Sequence, residues 1–313
     1  MLDVRPSPIA GTWYEGNAKT LAHSIDEYLN NAQLPELDGE VVAVIAPHAG
    51  HRYSGAVAGY AFAPIYRAER RDPELVEGER SRSALRLRAE QQPLSSPLRA
   101  KLVAVISPFH NFSNHPLLTT AHDAYGTPLG NIAVDKAALA ELKSYLDIPI
   151  TSVFADKEHS LEIELPFLQR ALIGDFKLLP IMIRAQEVDV ARKLGLALAQ
   201  VLKDKNALMV ASTDLSHFYD QSKANILDSE MLKRFESFNP ESIFEAERTG
   251  KAFACGHAAV AAVLWAAREL GANKVQVLHH ATSGDVTGDY SSVVGYGAAV
   301  ILKTPSQPPP NPQ

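Results

Sequence analysis

Two short runs constrain this chain most. "VVAVIA" (41–46) and "LVAVIS" (102–107) are nearly continuous apolar stretches, rich in β-branched residues, without the apolar–polar alternation of a half-wet strand. Such runs read as strands buried on both faces, which need helices on either side of a sheet. "KLLPIMI" (177–183), "ALMVAST" (207–213) and "KVQVLHHA" (274–281) are read as further strands, and "SSVVGYGAAVIL" (291–302) as a late one rich in small residues. A helix over 17–31 is signalled by Asn17 as cap and by Leu21, Ile25, Tyr28 and Leu29 at helical spacing. The small-residue-rich 53–66 is predicted helical and packed close to the sheet, and further helices are expected near 135–145, 188–203, 223–236 and 257–270. "DKEHSLEIELPFLQRAL" (156–172) reads as a helix opened by Asp156, with Leu161, Leu165, Leu168 and Leu172 on one face. The strand–helix–strand rhythm predicts an α/β fold: one domain over 1–303 with a central, largely parallel or mixed sheet flanked by helices.

Two segments stand outside that rhythm. Residues 67–100 carry eight arginines and six acidic residues with no sustained apolar periodicity, where a few residues normally join a helix to a strand. A basic functional patch is one reading; alternating signs favour a solvated, flexible insertion. "TPSQPPPNPQ" (304–313) reads as a disordered tail.

Bulk properties exclude some functions. The formal net charge of −6 gives no electrostatic support for a nucleic-acid partner. One cysteine excludes an internal disulfide framework. No apolar run approaches a membrane span, and the first residues lack a signal-peptide pattern, so a cytoplasmic protein without membrane contact is expected.

The chemistry enters where the strands stop. "VVAVIAPH" ends on His48, "LVAVISPFH" on His110 and "ALMVASTDLSH" on His217. Ligands of open parallel sheets sit beyond the carboxyl ends of the strands, so three such histidines are expected at one edge. Imidazole serves there as a metal ligand or in proton transfer, whereas a lone histidine is more often a hydrogen-bonded structural residue. Cys255, before Gly256 and a predicted helix start, could be nucleophile, metal ligand or a small buried residue. His257 is expected to point elsewhere. "TSGDVTGDYSS" (282–292) reads as a flexible rim; it lacks the lysine of a phosphate-binding loop.

Taken in order, "APHAGHRYSG", "SPFHNF", "EHSLEIELPFLQ", "STDLSHF", "ACG" and "GDYSSVVGYGA" resemble the Memo family, whose bacterial and archaeal members are called AmmeMemoRadiSam system protein B. The resemblance runs from about residue 5 to 302 and implies a fold similar to class III extradiol dioxygenases, which hold non-haem iron with two histidines and a carboxylate. It implies that cysteine replaces the carboxylate, making His48, His110 and Cys255 the metal ligands. It places Asp214 and His217 as a second polar pair, with His217 where the dioxygenases hold a general acid/base, and Glu158 and His159 near the same cavity. Three residues apart at a strand end, Asp214 could orient His217 or instead cap the following turn. His51 stands where an aromatic is usual, and Ser107 and Phe109 where Gly and Ser are common. One thiolate with two imidazoles suits Fe(II), Cu or Zn, and the resemblance to the iron dioxygenases implies Fe(II) first. The function implied is a metal-dependent oxidoreductase acting on an unknown small molecule, linked to radical-SAM proteins. A non-catalytic module holding a peptide in the same pocket, and a metal-assisted hydrolase with His217 as base, are the other readings.

Overall fold

The computed structural model describes residues 2–70 and 98–305. In chain order its elements are β1 (Val4–Arg5), α1 (Ala18–Asn31), β2 (Glu40–Ala46), α2 (His51–Glu69), β3 (Leu102–Pro108), β4 (Leu117–Thr120), β5 (Ala124–Thr127), β6 (Gly130–Ala133), α3 (Lys136–Ser144) and β7 (Ile150–Val153). There follow α4 (Leu165–Ala171), β8 (Lys177–Ile183), α5 (Val188–Leu202), β9 (Ala207–Ser212), β10 (His217–Tyr219), α6 (Gln221–Glu236), α7 (Pro240–Arg248), α8 (His257–Glu269), β11 (Lys274–Thr282), α9 (Gly284–Thr287) and β12 (Val293–Lys303).

The fold is α/β with a mixed main sheet, ordered β10-β12-β2-β9-β3-β8-β4-β7, with β11 also paired to β12. Its centre, β2-β9-β3-β8, is parallel throughout. β12 runs antiparallel to β2, and β4 antiparallel to β8. The unbroken apolar runs have the predicted cause. Ala43, Ile45, Ala104 and Ile106 pack towards α5 and α8, while Val44, Ala46, Val103 and Val105 pack towards α1, α2 and α4. With both faces covered, polar residues have nowhere to alternate.

Asn17 caps α1 as expected, its side chain accepting from the backbone N–H groups of Lys19 and Thr20. α2 packs on β2, β11 and β12 of the sheet as expected, and its glycines also let α1 approach: a Cβ on Gly59 would stand 2.6 Å from the Tyr28 carbonyl oxygen. That helix also reaches Glu69, so the stretch read as an insertion from 67 begins inside it; residues 71–97 and 306–313, with most of that segment and the tail, lie outside the described residues.

Three sequence readings need correction. The helix predicted over 156–172 begins only at Leu165, after an extended stretch and a 3₁₀ turn, Glu162–Glu164. Asp156 does not cap it, because its carboxylate is taken by Arg5 of β1, 2.8 Å away. The leucines of the pattern are buried nonetheless. α7 was not foreseen between 236 and 257, and the 282–292 rim contains the short helix α9. Lastly, His217 does not end β9; it opens β10, which pairs with Val294 of β12.

Candidate metal centre

The carboxyl ends of β2, β3 and β9 lie side by side in the parallel core, and the segments leaving them bring His48, His110 and Asp214 to one edge. The turn before α8 closes against the same edge. Gly256 donates its N–H to Thr213 Oγ1 (2.9 Å), and Cys255 donates its N–H to the Asp214 carbonyl (3.2 Å). A Cβ on residue 256 would sit 2.3 Å from the Ser212 carbonyl oxygen and 2.8 Å from Thr213 Cβ. Only glycine lets this turn approach so closely. Gly256→Ala is therefore expected to force the turn off β9, with a loss of about 1–3 kcal/mol in denaturant titration, the usual cost of overpacking.

The outcome is a tight cluster: one ligand atom each from His48, His110 and Cys255, all within 4.8 Å of one another. Cys255 Sγ is 3.1 Å from His48 Nε2. Both imidazoles are held from behind. His48 Nδ1 meets Ser212 Oγ at 2.9 Å, and His110 Nδ1 meets Glu158 Oε1 at 2.9 Å. Glu158 also accepts from the backbone N–H groups of His110 (2.6 Å), His159 (3.0 Å) and Ser160 (3.0 Å). Burial alone would disfavour its charge, yet these bonds and the His110 side chain hold its carboxyl well below the usual range. Glu158 is thus an anionic bracket for His110. His110, Glu158 and His159 also have ligand atoms within 4.8 Å of one another, but Glu158 is already saturated with donors.

His159 stacks on His110, with ring centroids 4.9 Å apart, and on Trp13 at 4.2 Å. Burial lowers its pKa to about 4, so it is neutral at pH 7. His51, by contrast, serves the core. It lies between Tyr14 and Phe167, with its Nε2 3.2 Å from the Ile163 carbonyl, and fills the place of an aromatic. His257 turns to the Ala254 carbonyl at 3.0 Å, away from the cluster as expected.

Asp214 and His217 depart from the expected pairing. Asp214 Oδ1 accepts the His48 N–H at 2.8 Å, and Oδ2 lies 3.9 Å from His48 Nε2. Its carboxyl therefore serves His48, and burial pushes its pKa up to about 7. His217 Nδ1 is buried with no hydrogen-bond partner among the described residues. Burial first, then the nearby His110, lowers its pKa rather than favouring the protonated form. The chain between Asp214 and His217 is tied to β12: Leu215 donates its N–H to the Gly295 carbonyl, and Gly295 donates its own to the Ser216 carbonyl, as the chain turns into β10, while Asp214 faces His48. His217 packs edge-on against Phe253 and Phe218. Phe218 also borders a cavity of about 360 Å³, which is lined as well by Tyr53, Ser283, Asp289, Val294 and Tyr296. Phe218 is 76 % exposed and has a φ of 64°, a strained place for a large side chain.

Sequence reasoning missed Ser212, Ser160 and Glu164 behind His48, and Arg5 behind Glu158. Small hydroxyls and buried acids in apolar runs carry no local signal of their partners.

Likenesses in sequence extend over nearly all of the chain. A family model described as Memo-like protein matches residues 5–76 and 90–300. A "MEMO1 family protein" of Nitrosopumilus maritimus is 32 % identical over 307 residues, covering 96 % of this chain and all of that one. One from Aquifex aeolicus is 29 % identical over 299 residues, covering 96 % and 99 %. A crystal structure of uncharacterized protein JW3007 from Escherichia coli K12 is similar at 14 % identity with a TM-score of 0.43, covering 64 % of this chain and 86 % of that one. With the family model matching well over half of its length, the chain belongs to the Memo-like family.

Proposed function

We propose that His48, His110 and Cys255 hold one metal ion, Fe(II) in preference to Cu or Zn, and that the chain is a non-haem-iron-type oxidoreductase acting on a small organic molecule. The observation that carries this is the convergence of three ligand atoms within 4.8 Å from three separate segments. The donor set fits: each imidazole has Nδ1 engaged by an outer partner, which leaves Nε2 for an ion, as in most histidine metal sites. A thiolate with two nitrogens admits Fe, Cu and Zn; the preference for iron rests on the resemblance to class III extradiol dioxygenases. When bound, such an ion supplies redox and Lewis-acid chemistry.

The protein's own contribution is binding and proton handling. The 360 Å³ cavity, with aromatic walls and a few polar groups, suits a small, partly apolar molecule. His217, kept neutral by burial, is the candidate to take a proton from the bound molecule. Asp214 holds the His48 backbone instead of acting on His217.

A peptide-binding module is the second reading, favoured by one observation. Exposed Phe112, Phe218 and Phe253 stand within two residues of His110, His217 and Cys255 in the chain, and the last two rings pack on His217 as an apolar surface. The radical-SAM link has only the family resemblance behind it. Metal analysis of protein purified without oxygen tests the ion, and His217→Ala tests the chemistry. The oxidoreductase reading expects this variant to retain metal and lose turnover by about 10²–10⁴-fold. Metal loss would make His217 a ligand; unchanged turnover with weakened peptide affinity would favour the module.

A further inference from the structure

Behind His48 lies a buried acid that the proposed chemistry does not use. Glu164 is fully buried at the end of the 3₁₀ turn, and its Oε1 lies 2.7 Å from Ser212 Oγ. The same oxygen of Ser212 is 2.7 Å from the Ser160 carbonyl and 2.9 Å from His48 Nδ1. A serine hydroxyl has one hydrogen and two lone pairs. The Ser160 carbonyl can only accept, so the single hydrogen of Ser212 belongs there. The other two partners must then donate, His48 from Nδ1–H and Glu164 from a carboxylic O–H. An ionised Glu164 has no hydrogen to give, and it would press two bare oxygens together at 2.7 Å. Its second oxygen, Oε2, has no partner among the described residues, which is costly for a buried charge and much less so for a neutral acid. Burial, pushing this carboxyl well above the usual range, acts in the same direction.

We propose that Glu164 is held as a neutral carboxylic acid at neutral pH and is, through Ser212, a positioning residue that locks His48 as the Nδ1–H tautomer and turns a bare Nε2 towards the ion. The contact of Nε2 with Cys255 Sγ at 3.1 Å agrees, since a bare nitrogen accepts from a thiol. The knot at residue 160 joins this device to the other imidazole: Ser160 accepts from Ser212 through its carbonyl and donates its N–H to Glu158, the bracket of His110. One buried segment thereby sets both rings.

The inference rests on the proposed role of His48 as a ligand, so the test has a metal-free arm. In infrared difference spectra of metal-free protein at neutral pH, wild type should show a protonated-carboxyl stretch that Glu164→Gln lacks. Nitrogen NMR of the same protein should find His48, assigned by its loss in His48→Ala, protonated at Nδ1. In the second arm, Ser212→Ala should lose that tautomer preference and bind zinc about 10- to 100-fold more weakly, the usual cost of removing an outer partner. Glu164→Gln, whose amide N–H replaces the acid O–H, should keep both the tautomer and the zinc affinity. A missing carboxyl stretch, an Nε2–H tautomer in metal-free wild type, or zinc binding as weak in Glu164→Gln as in Ser212→Ala would overturn the proposal. If wild type shows the stretch and the tautomer but binds no zinc, the metal reading fails and the neutral Glu164 stands.

Discussion

Cys255→Ser and His48→Ala, each purified without oxygen beside the wild type, are expected to lose stoichiometric metal. Both remove one of three atoms that lie within 4.8 Å of one another, so the loss should exceed the ~10–100-fold that follows removal of an outer partner. Serine is nearly the size of cysteine, but its hydroxyl stays neutral at pH 7 and offers no soft anionic donor. The surrounding turn is held by Cys255 N–H to the Asp214 carbonyl and Gly256 N–H to Thr213 Oγ1, which the substitution leaves in place, and the serine oxygen can take over the Asp214 N–H that Sγ accepts at 3.3 Å. Cys255→Ser should therefore match the wild type in thermal midpoint and differ in metal content alone. His48→Ala also empties a fully buried volume and is expected to lower stability, so the serine variant carries the decision. One ion per chain in both variants would sink the assignment and leave Cys255 as a small buried thiol.

How far the site is legible in the sequence depends on the range of the contacts that build it. The strand runs 41–46, 102–107, 177–183 and 207–213 declare a doubly covered sheet, because burial on both faces is written into each run residue by residue. Where those strands end is equally local, so the approach of His48 to His110 follows from topology. The stretch 156–164 is the opposite case. Its Asp and Glu residues imitate a helix start, yet Asp156 is matched by Arg5, Glu158 by His110 and Glu164 by Ser212. Those partners are 151, 48 and 48 residues away, beyond the reach of any capping or periodicity rule. Asp214 and His217 fail for a related reason. Spacing of three puts both at the end of a strand, but the Leu215–Gly295 bond ties the chain between them to β12, while Asp214 faces His48.

Arg5→Ala is expected to cost on the order of 3–5 kcal/mol in denaturant unfolding, the range for breaking a buried ion pair from one side. Arg5 is 2 % exposed, and it donates to Asp156 through Nε (3.0 Å) and Nη2 (2.8 Å) and to Glu162 through Nη1. Ser7 and Tyr14 also donate to Glu162. Alanine would strand two buried carboxylates, and the loss comes from those unpaired charges more than from the attraction given up. The same guanidinium donates through Nη2 to the Glu158 carbonyl at 2.9 Å, and Glu158 brackets His110. The N-terminal arm thus fastens the segment that aims one of the proposed ligands, so metal affinity should fall along with stability. Arg5→Lys keeps the charge but has no planar fork to serve Asp156, Glu162 and the Glu158 carbonyl together, and should recover only part of the loss. A change below about 1 kcal/mol, the level of an exposed pair, would show that the arm is dispensable and that Glu158 is fixed by its own backbone contacts.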